Sequence, residues 1–80
     1  MKKQEETYET RSVSLWILND EGLYNLARKF RRSKSPYKEF IESLKENYPG
    51  SEVALQTPDG VVWNDSDIDF DAMDEVIRDL

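Results

Sequence analysis

Noncovalent interactions must hold this chain together, because its 80 residues include no cysteine and no histidine. Disulfide bonds and thiolate metal sites are therefore excluded. A domain this short buries only a little over half of the surface of its unfolded chain, so its core must be small. The lack of histidine also removes the commonest general base and the commonest metal ligand. We therefore expect a non-enzymatic domain that needs no cofactor.

The acidic residues are concentrated in the last part of the chain. Residues 1–50 carry ten Lys and Arg against eight Asp and Glu, whereas residues 51–80 carry one against nine. Five cations lie within seven positions, at Arg28, Lys29, Arg31, Arg32 and Lys34. Such a separation of charge indicates what kind of partner the protein binds, and it says little about the fold.

Local patterns predict a single domain over residues 8–80, after a flexible start over residues 1–7. Residues 12–18 alternate between apolar residues and others, which is typical of a strand with one face on the core. Asp20 or its neighbour Asn19 is a suitable cap for a helix that continues to about residue 32.

A second helix is predicted from Ser35-Pro36, because serine accepts from free amides and proline loses nothing at the first helical position. It ends at residues 48–50, which read Tyr-Pro-Gly. Two apolar runs then flank the turn tripeptide at residues 58–60, which predicts a hairpin. Asp69 caps a last amphipathic helix.

The predicted order is β-α-α-β-β-α, an α+β fold with a small three-stranded antiparallel sheet and helices packed on it. Trp16 then lies on the sheet face opposite to Val13, Leu15 and Ile17, and that face is too apolar to stay wet. Either the last helix covers it, or a second copy of the chain or another partner does, with Trp16 as an anchor. A misassigned strand register is the third explanation.

The acidic residues at every second position of 65–71 resemble the first half of a calcium-binding loop. Counting from Asp65, however, Phe70 stands where the loop needs glycine and Val76 where it needs a bidentate glutamate. Starting from Asp67 fails at the same two places. We expect no metal site.

Carboxylates spread along a loop and a helix can imitate the charge of a nucleic-acid backbone and so bind a basic groove on another protein. The same residues also suit a purely solubilising role. The candidate partner-binding residues are Trp16, Asp65, Asp67, Asp71, Asp74, Glu75 and Asp79.

The cluster of five cations supports an alternative hypothesis, an accessory protein of winged-helix-like type that binds nucleic acid through Arg28, Lys29, Arg31, Arg32 and Lys34. The helix that would enter the groove carries three Glu against two Lys, and the hairpin tip carries Asp59, so phosphates would repel both. The cations also suit a simpler role, in which they balance the dipole of their own helix. Nucleic acid is therefore the less favoured partner.

Residues 14–24 (SLWILNDEGLY) and residues 57–63 (TPDGVVW) resemble small uncharacterised acidic proteins encoded by bacteriophages. The resemblance carries no functional motif and assigns no site residue. Small phage proteins without catalytic residues often bind host machinery, so it implies an inhibitor or modulator of a host defence or nucleic-acid-binding protein. The expected location is the host cytoplasm, since no apolar run is long enough for a membrane helix.

Overall fold

The computed structural model describes residues 7–80, which form a helical domain. Its helices are α1 (Tyr8–Asn19), α2 (Glu21–Arg28), α3 (Pro36–Asn47) and α4 (Phe70–Arg78), with a short 3-10 turn at Glu52–Ala54. Residues 7–80 contain no strand, and a single antiparallel bridge joins Gln56 to Val62. The predicted α+β fold with a three-stranded sheet is therefore wrong.

The segment predicted as the first strand lies within α1. Val13 and Ile17, which are one helical turn apart, are fully buried, whereas Leu15 is 44% exposed. Thr7 begins the helix, because its Oγ1 accepts from the backbone N–H of Thr10 at 3.0 Å. Thr7 is thus part of the fold, and the rest of the predicted flexible start lies outside the described residues.

Trp16 lies on α1 and not on a sheet face. It is half-buried against the core, and its Nε1 donates to Oδ2 of Asp59 at 3.0 Å. The predicted homodimer through a Trp16 sheet face loses its basis, because the part of the chain that the structure describes has no such face.

The other helices begin where the sequence predicts. Asp20 and Asp69 each accept from the backbone N–H three residues further on, at 2.9 and 3.0 Å, and so cap α2 and α4. Pro36 begins α3, which ends shortly before Gly50 with its φ of 77°. The end of α2 is predicted less well, since the helix stops at Arg28 and the chain continues in turns.

The predicted hairpin is reduced to its turn. The backbone N–H of Thr57 donates to the carbonyl of Val61 and that of Gly60 to the carbonyl of Thr57, both at 2.8 Å. Gly60 has a φ of 90°, which confirms the glycine turn. Before this turn the chain forms the 3-10 turn in place of a strand.

An aromatic cluster holds the irregular loop against the helices. The ring of Trp63 meets that of Phe40 edge-on at 5.6 Å, and the ring of Tyr37 meets that of Phe70 edge-on at 4.9 Å. The hydroxyl of Tyr37 donates to the carbonyl of Trp63 at 2.6 Å, and Nε1 of Trp63 donates to the carbonyl of Val53 at 2.8 Å. This loop therefore belongs to the core, although it forms no sheet.

The buried phenol of Tyr37 makes stability depend on alkaline pH. Burial raises its pKa in the folded protein above the ordinary value of about 10. In the unfolded chain the phenol loses its proton near pH 10, so above this pH the unfolded state binds fewer protons than the folded state. The free energy of unfolding should then fall as pH rises, by up to about 1.4 kcal/mol per unit. Urea unfolding across this range should show a smaller fall in Tyr37→Phe, and equal falls would contradict the assignment.

Candidate functional site

The acidic residues between positions 65 and 79 divide into two groups according to what their carboxylates contact. Oδ1 of Asp65 accepts from the backbone N–H of Asp67 at 2.8 Å, which forms a local turn. Asp69 caps α4. Oδ1 of Asp74 accepts from the backbone N–H of Tyr37 at 2.9 Å. These three carboxylates therefore take part in the fold.

Asp74 caps a helix other than its own. The backbone N–H of Tyr37 is one of the free donors in the first turn of α3, where a negative charge also meets the positive end of the helix dipole. Ser35, the expected acceptor, makes no side-chain cap within the described part of the chain. Asp74 is thus half-buried and joins α4 to the start of α3.

Removing this carboxylate should destabilise the domain. We expect Asp74→Ala to lower the free energy of unfolding by about 1 kcal/mol, the usual cost of a lost N-cap. Glu75→Ala is the matched control, because Glu75 is the next residue on α4 and is exposed. Urea unfolding of both variants measures the difference, and equal losses would show that the bond to Tyr37 contributes nothing.

The second group of carboxylates is exposed. Asp71 and Glu75 lie on α4 and Asp79 is the residue that ends it, so the three follow one another at intervals of four residues, and all three are exposed. Such spacing places side chains on one side of a helix, one turn apart. We call these three residues the acidic row. Asp67 is also exposed, in the loop before α4.

Two threonines connect the start of α1 to this loop. Oγ1 of Thr7 donates to the carbonyl of Asp67, and Oγ1 of Thr10 accepts from the backbone N–H of Asp69, both at 2.8 Å. Tyr8 follows Thr7 and is 65% exposed. An exposed aromatic ring therefore lies at the same end of the molecule as Asp67.

Four of the five predicted cations surround one open surface depression at the end of α2. It has a volume of ≈ 600 Å³ and is lined by Asn25, Arg28, Lys29, Arg31 and Arg32. We call it the cationic depression. One guanidinium nitrogen of Arg31 donates to the carbonyl of Leu80 at 3.3 Å. Lys34 lies outside the lining, and its carbonyl accepts from Arg78 at 3.3 Å.

Sequence reasoning missed Asn25 and Tyr8. Asn25 precedes Arg28 and Lys29 by three and four residues, the spacing that brings side chains together on a helix, so this signal was available. The exposure of Tyr8 depends on the helical geometry of α1, which the sequence did not predict.

The described residues also limit two further kinds of site. Within residues 7–80 no three acidic side chains lie together as a metal ion would require. None of the helices of that region has the length and apolar character needed to cross a membrane.

The fold and its two charged surfaces define a small helical domain with an acidic helix and a cationic depression. A family model described as a family of unknown function, DUF7249, matches residues 5–80, and the chain belongs to this family. No curated protein and no solved structure matches the chain.

Proposed function

We propose that the protein is a non-enzymatic interaction module whose acidic row docks on a basic surface of a partner protein. The division of the carboxylates carries this proposal. Asp69 and Asp74 serve the fold as helix caps, whereas the three members of the acidic row face solvent along α4. Exposed charges of one sign arranged along a rigid helix attract and orient a partner of the opposite sign.

Charge alone gives orientation and rate more than affinity, so a stable contact also needs an apolar anchor. Tyr8 is suited to this role, because aromatic residues contribute most strongly to binding when an interface buries them. The bond between Thr7 and Asp67 holds the residue before Tyr8 against the loop that leads into α4. The proposed interface therefore joins Tyr8, Asp67 and the acidic row.

The nature of the partner follows from the charge of this surface. A protein that binds nucleic acid presents a basic groove, and a row of carboxylates can occupy such a groove in place of phosphates. The resemblance to phage-encoded proteins supports a host defence or nucleic-acid-binding protein, encountered in the host cytoplasm. The interaction would inhibit or modulate that protein.

The proposal is tested by affinity capture from a bacterial lysate with three forms of the protein. The first is the wild type, and the second is the row variant Asp71→Asn/Glu75→Gln/Asp79→Asn. The third is the matched control Glu39→Gln/Glu42→Gln/Glu46→Gln, which removes the same number of exposed carboxylates from α3. The row variant should keep its stability. Removing the charge of Asp71 loses a favourable interaction with the positive start of the α4 dipole, and removing that of Asp79 relieves an unfavourable one at its negative end.

We expect at least one protein to be captured by the wild type and by the control, and to be lost with the row variant. Equal capture by all three forms would contradict the proposal. Equal loss with both variants would also contradict it, because it would indicate non-specific attraction to an acidic protein.

The alternative of a winged-helix-like nucleic-acid binder is weakened by the fold. Residues 7–80 have no strands to form a wing. The exposed residues of α3, which would enter the groove, include three glutamates and only two lysines, and phosphates would repel this face. Support for a nucleic-acid partner is therefore limited to the cationic depression.

A further inference from the structure

The cationic depression is a concave surface that the proposed function does not use. Its lining contains four cationic side chains and one amide, and no carboxylate of the described residues belongs to it. A helix end presents only about half an elementary charge, so the dipole of α2 cannot account for four cations. Four positive charges gathered on one open surface raise the local concentration of anions there.

The lining favours phosphate over other anions. Three of the four cations are arginines, whose planar guanidinium groups bind two oxygens of a phosphate at once. Arg31 is half-buried and is held by the carbonyl of Leu80, so its position is restrained before any ligand binds. Asn25 adds a neutral donor to the lining.

The surroundings of the depression favour a compact ligand over a polymer. The lining residues all lie between positions 25 and 32, so the cluster of cations is short. The chain has a net charge of −6, and exposed carboxylates line the outer faces of α3 and α4. An extended nucleic acid would meet these repulsive surfaces, whereas a short polyphosphate would stay within the depression.

We propose that the cationic depression binds a compact polyphosphate, a chemical class that includes inorganic tripolyphosphate and the triphosphate group of a nucleotide. Arg28, Lys29 and Arg32 are exposed and contact the phosphate oxygens, while Arg31 binds from its restrained position. The lining of this site shares no residue with the acidic row, so either proposal can fail without the other.

The test is a titration of the full chain with inorganic tripolyphosphate, followed by the amide resonances in nuclear magnetic resonance spectra. The site variant is Arg28→Gln/Arg32→Gln. The matched control is Lys38→Gln/Lys45→Gln, which removes two exposed cations from α3. Both pairs change the net charge equally, so a difference between them reports on the depression.

We expect saturable shifts centred on residues 25–32, with binding that weakens in the order tripolyphosphate, pyrophosphate, phosphate. The site variant should bind more than about tenfold more weakly, because charge-assisted hydrogen bonds to phosphate are stronger than neutral ones. The control should bind as the wild type does. ATP is the second probe, and it distinguishes a nucleotide ligand from an inorganic polyphosphate. If ATP binds more tightly than tripolyphosphate, the ligand is a nucleotide. If the two bind equally, the site recognises only the phosphates.

Three results would overturn the proposal. The first is the absence of saturable shifts, and the second is equal affinity in the site variant and the control. The third is a single-stranded DNA that binds more tightly than tripolyphosphate when both are compared at equal phosphate concentration. Such a result would identify a surface for an extended polymer.

Discussion

Trp63→Ala is expected to lower the free energy of unfolding by about 4–6 kcal/mol, and so to remove a large part of the stability of the protein. Trp63 is 1% exposed, and its indole packs against Phe40 and bonds to the carbonyl of Val53. Truncating a buried aromatic residue to alanine costs about 3–5 kcal/mol, and losing the hydrogen bond to the half-buried Val53 adds about 1 kcal/mol. The whole stability of a domain this size is only about 4–12 kcal/mol.

Circular dichroism and urea unfolding measure this effect. Trp63→Phe should be intermediate, since it keeps a buried ring and loses the indole N–H. Val62→Ala is the control, because Val62 is next to Trp63 and its side chain is 41% exposed. This substitution should change the free energy of unfolding by less than about 0.5 kcal/mol. If Trp63→Ala unfolds within about 1 kcal/mol of the wild type, the loop does not belong to the core.

Thr10→Val is expected to lower the free energy of unfolding by about 1 kcal/mol, the usual net contribution of one intramolecular hydrogen bond. Thr10 is 1% exposed, and its Oγ1 accepts from the backbone N–H of Asp69 at 2.8 Å. Valine has nearly the same shape but cannot accept this bond. The junction between α1 and the start of α4 should therefore loosen.

Two measurements distinguish this loss from a general packing effect. Urea unfolding gives the change in stability, and amide hydrogen exchange at Asp69 reports on the broken bond itself. Thr10→Ser keeps the hydroxyl and removes one methyl group, so it should protect the Asp69 amide better than valine does. Equal protection in the two variants would contradict the role of the hydroxyl.

The starts of α2, α3 and α4 could be predicted because capping is local. Asp20 and Asp69 each bond to an amide three residues away, and Pro36 favours the first helical position through its own ring. The cap of α3 is the exception, because Asp74 supplies it from α4 in place of Ser35.

The helical nature of α1 could not be predicted from its apolar pattern. Its buried residues include Thr10, Val13, Ser14 and Ile17, which follow the spacing of a helix. Two of these buried residues are polar, and the apolar Leu15 is exposed. The order of apolar and polar residues along this segment therefore matches the alternation of a strand better than the spacing of a helix. The wrong fold class follows from this one segment together with the irregular loop before Trp63.

The two charged surfaces differ in how far the sequence could predict them. The cations of the depression are close in sequence, so their proximity in the structure was expected. The role of Asp74 was not, because its bond to Tyr37 spans 37 residues and depends on how α4 packs against α3. Composition identified the acidic region but could not show which carboxylates the fold uses.

The most direct test of the proposed interface is the dissociation constant for the captured partner, measured at rising salt concentration for the wild type and the row variant. It shows whether the exposed carboxylates bind the partner while the others cap helices. We predict that the row variant binds more than about tenfold more weakly, a loss of about 1.4 kcal/mol, and responds less to salt than the wild type. The control on α3 should match the wild type. An unchanged dissociation constant and unchanged salt dependence in the row variant would show that the acidic row does not bind the partner.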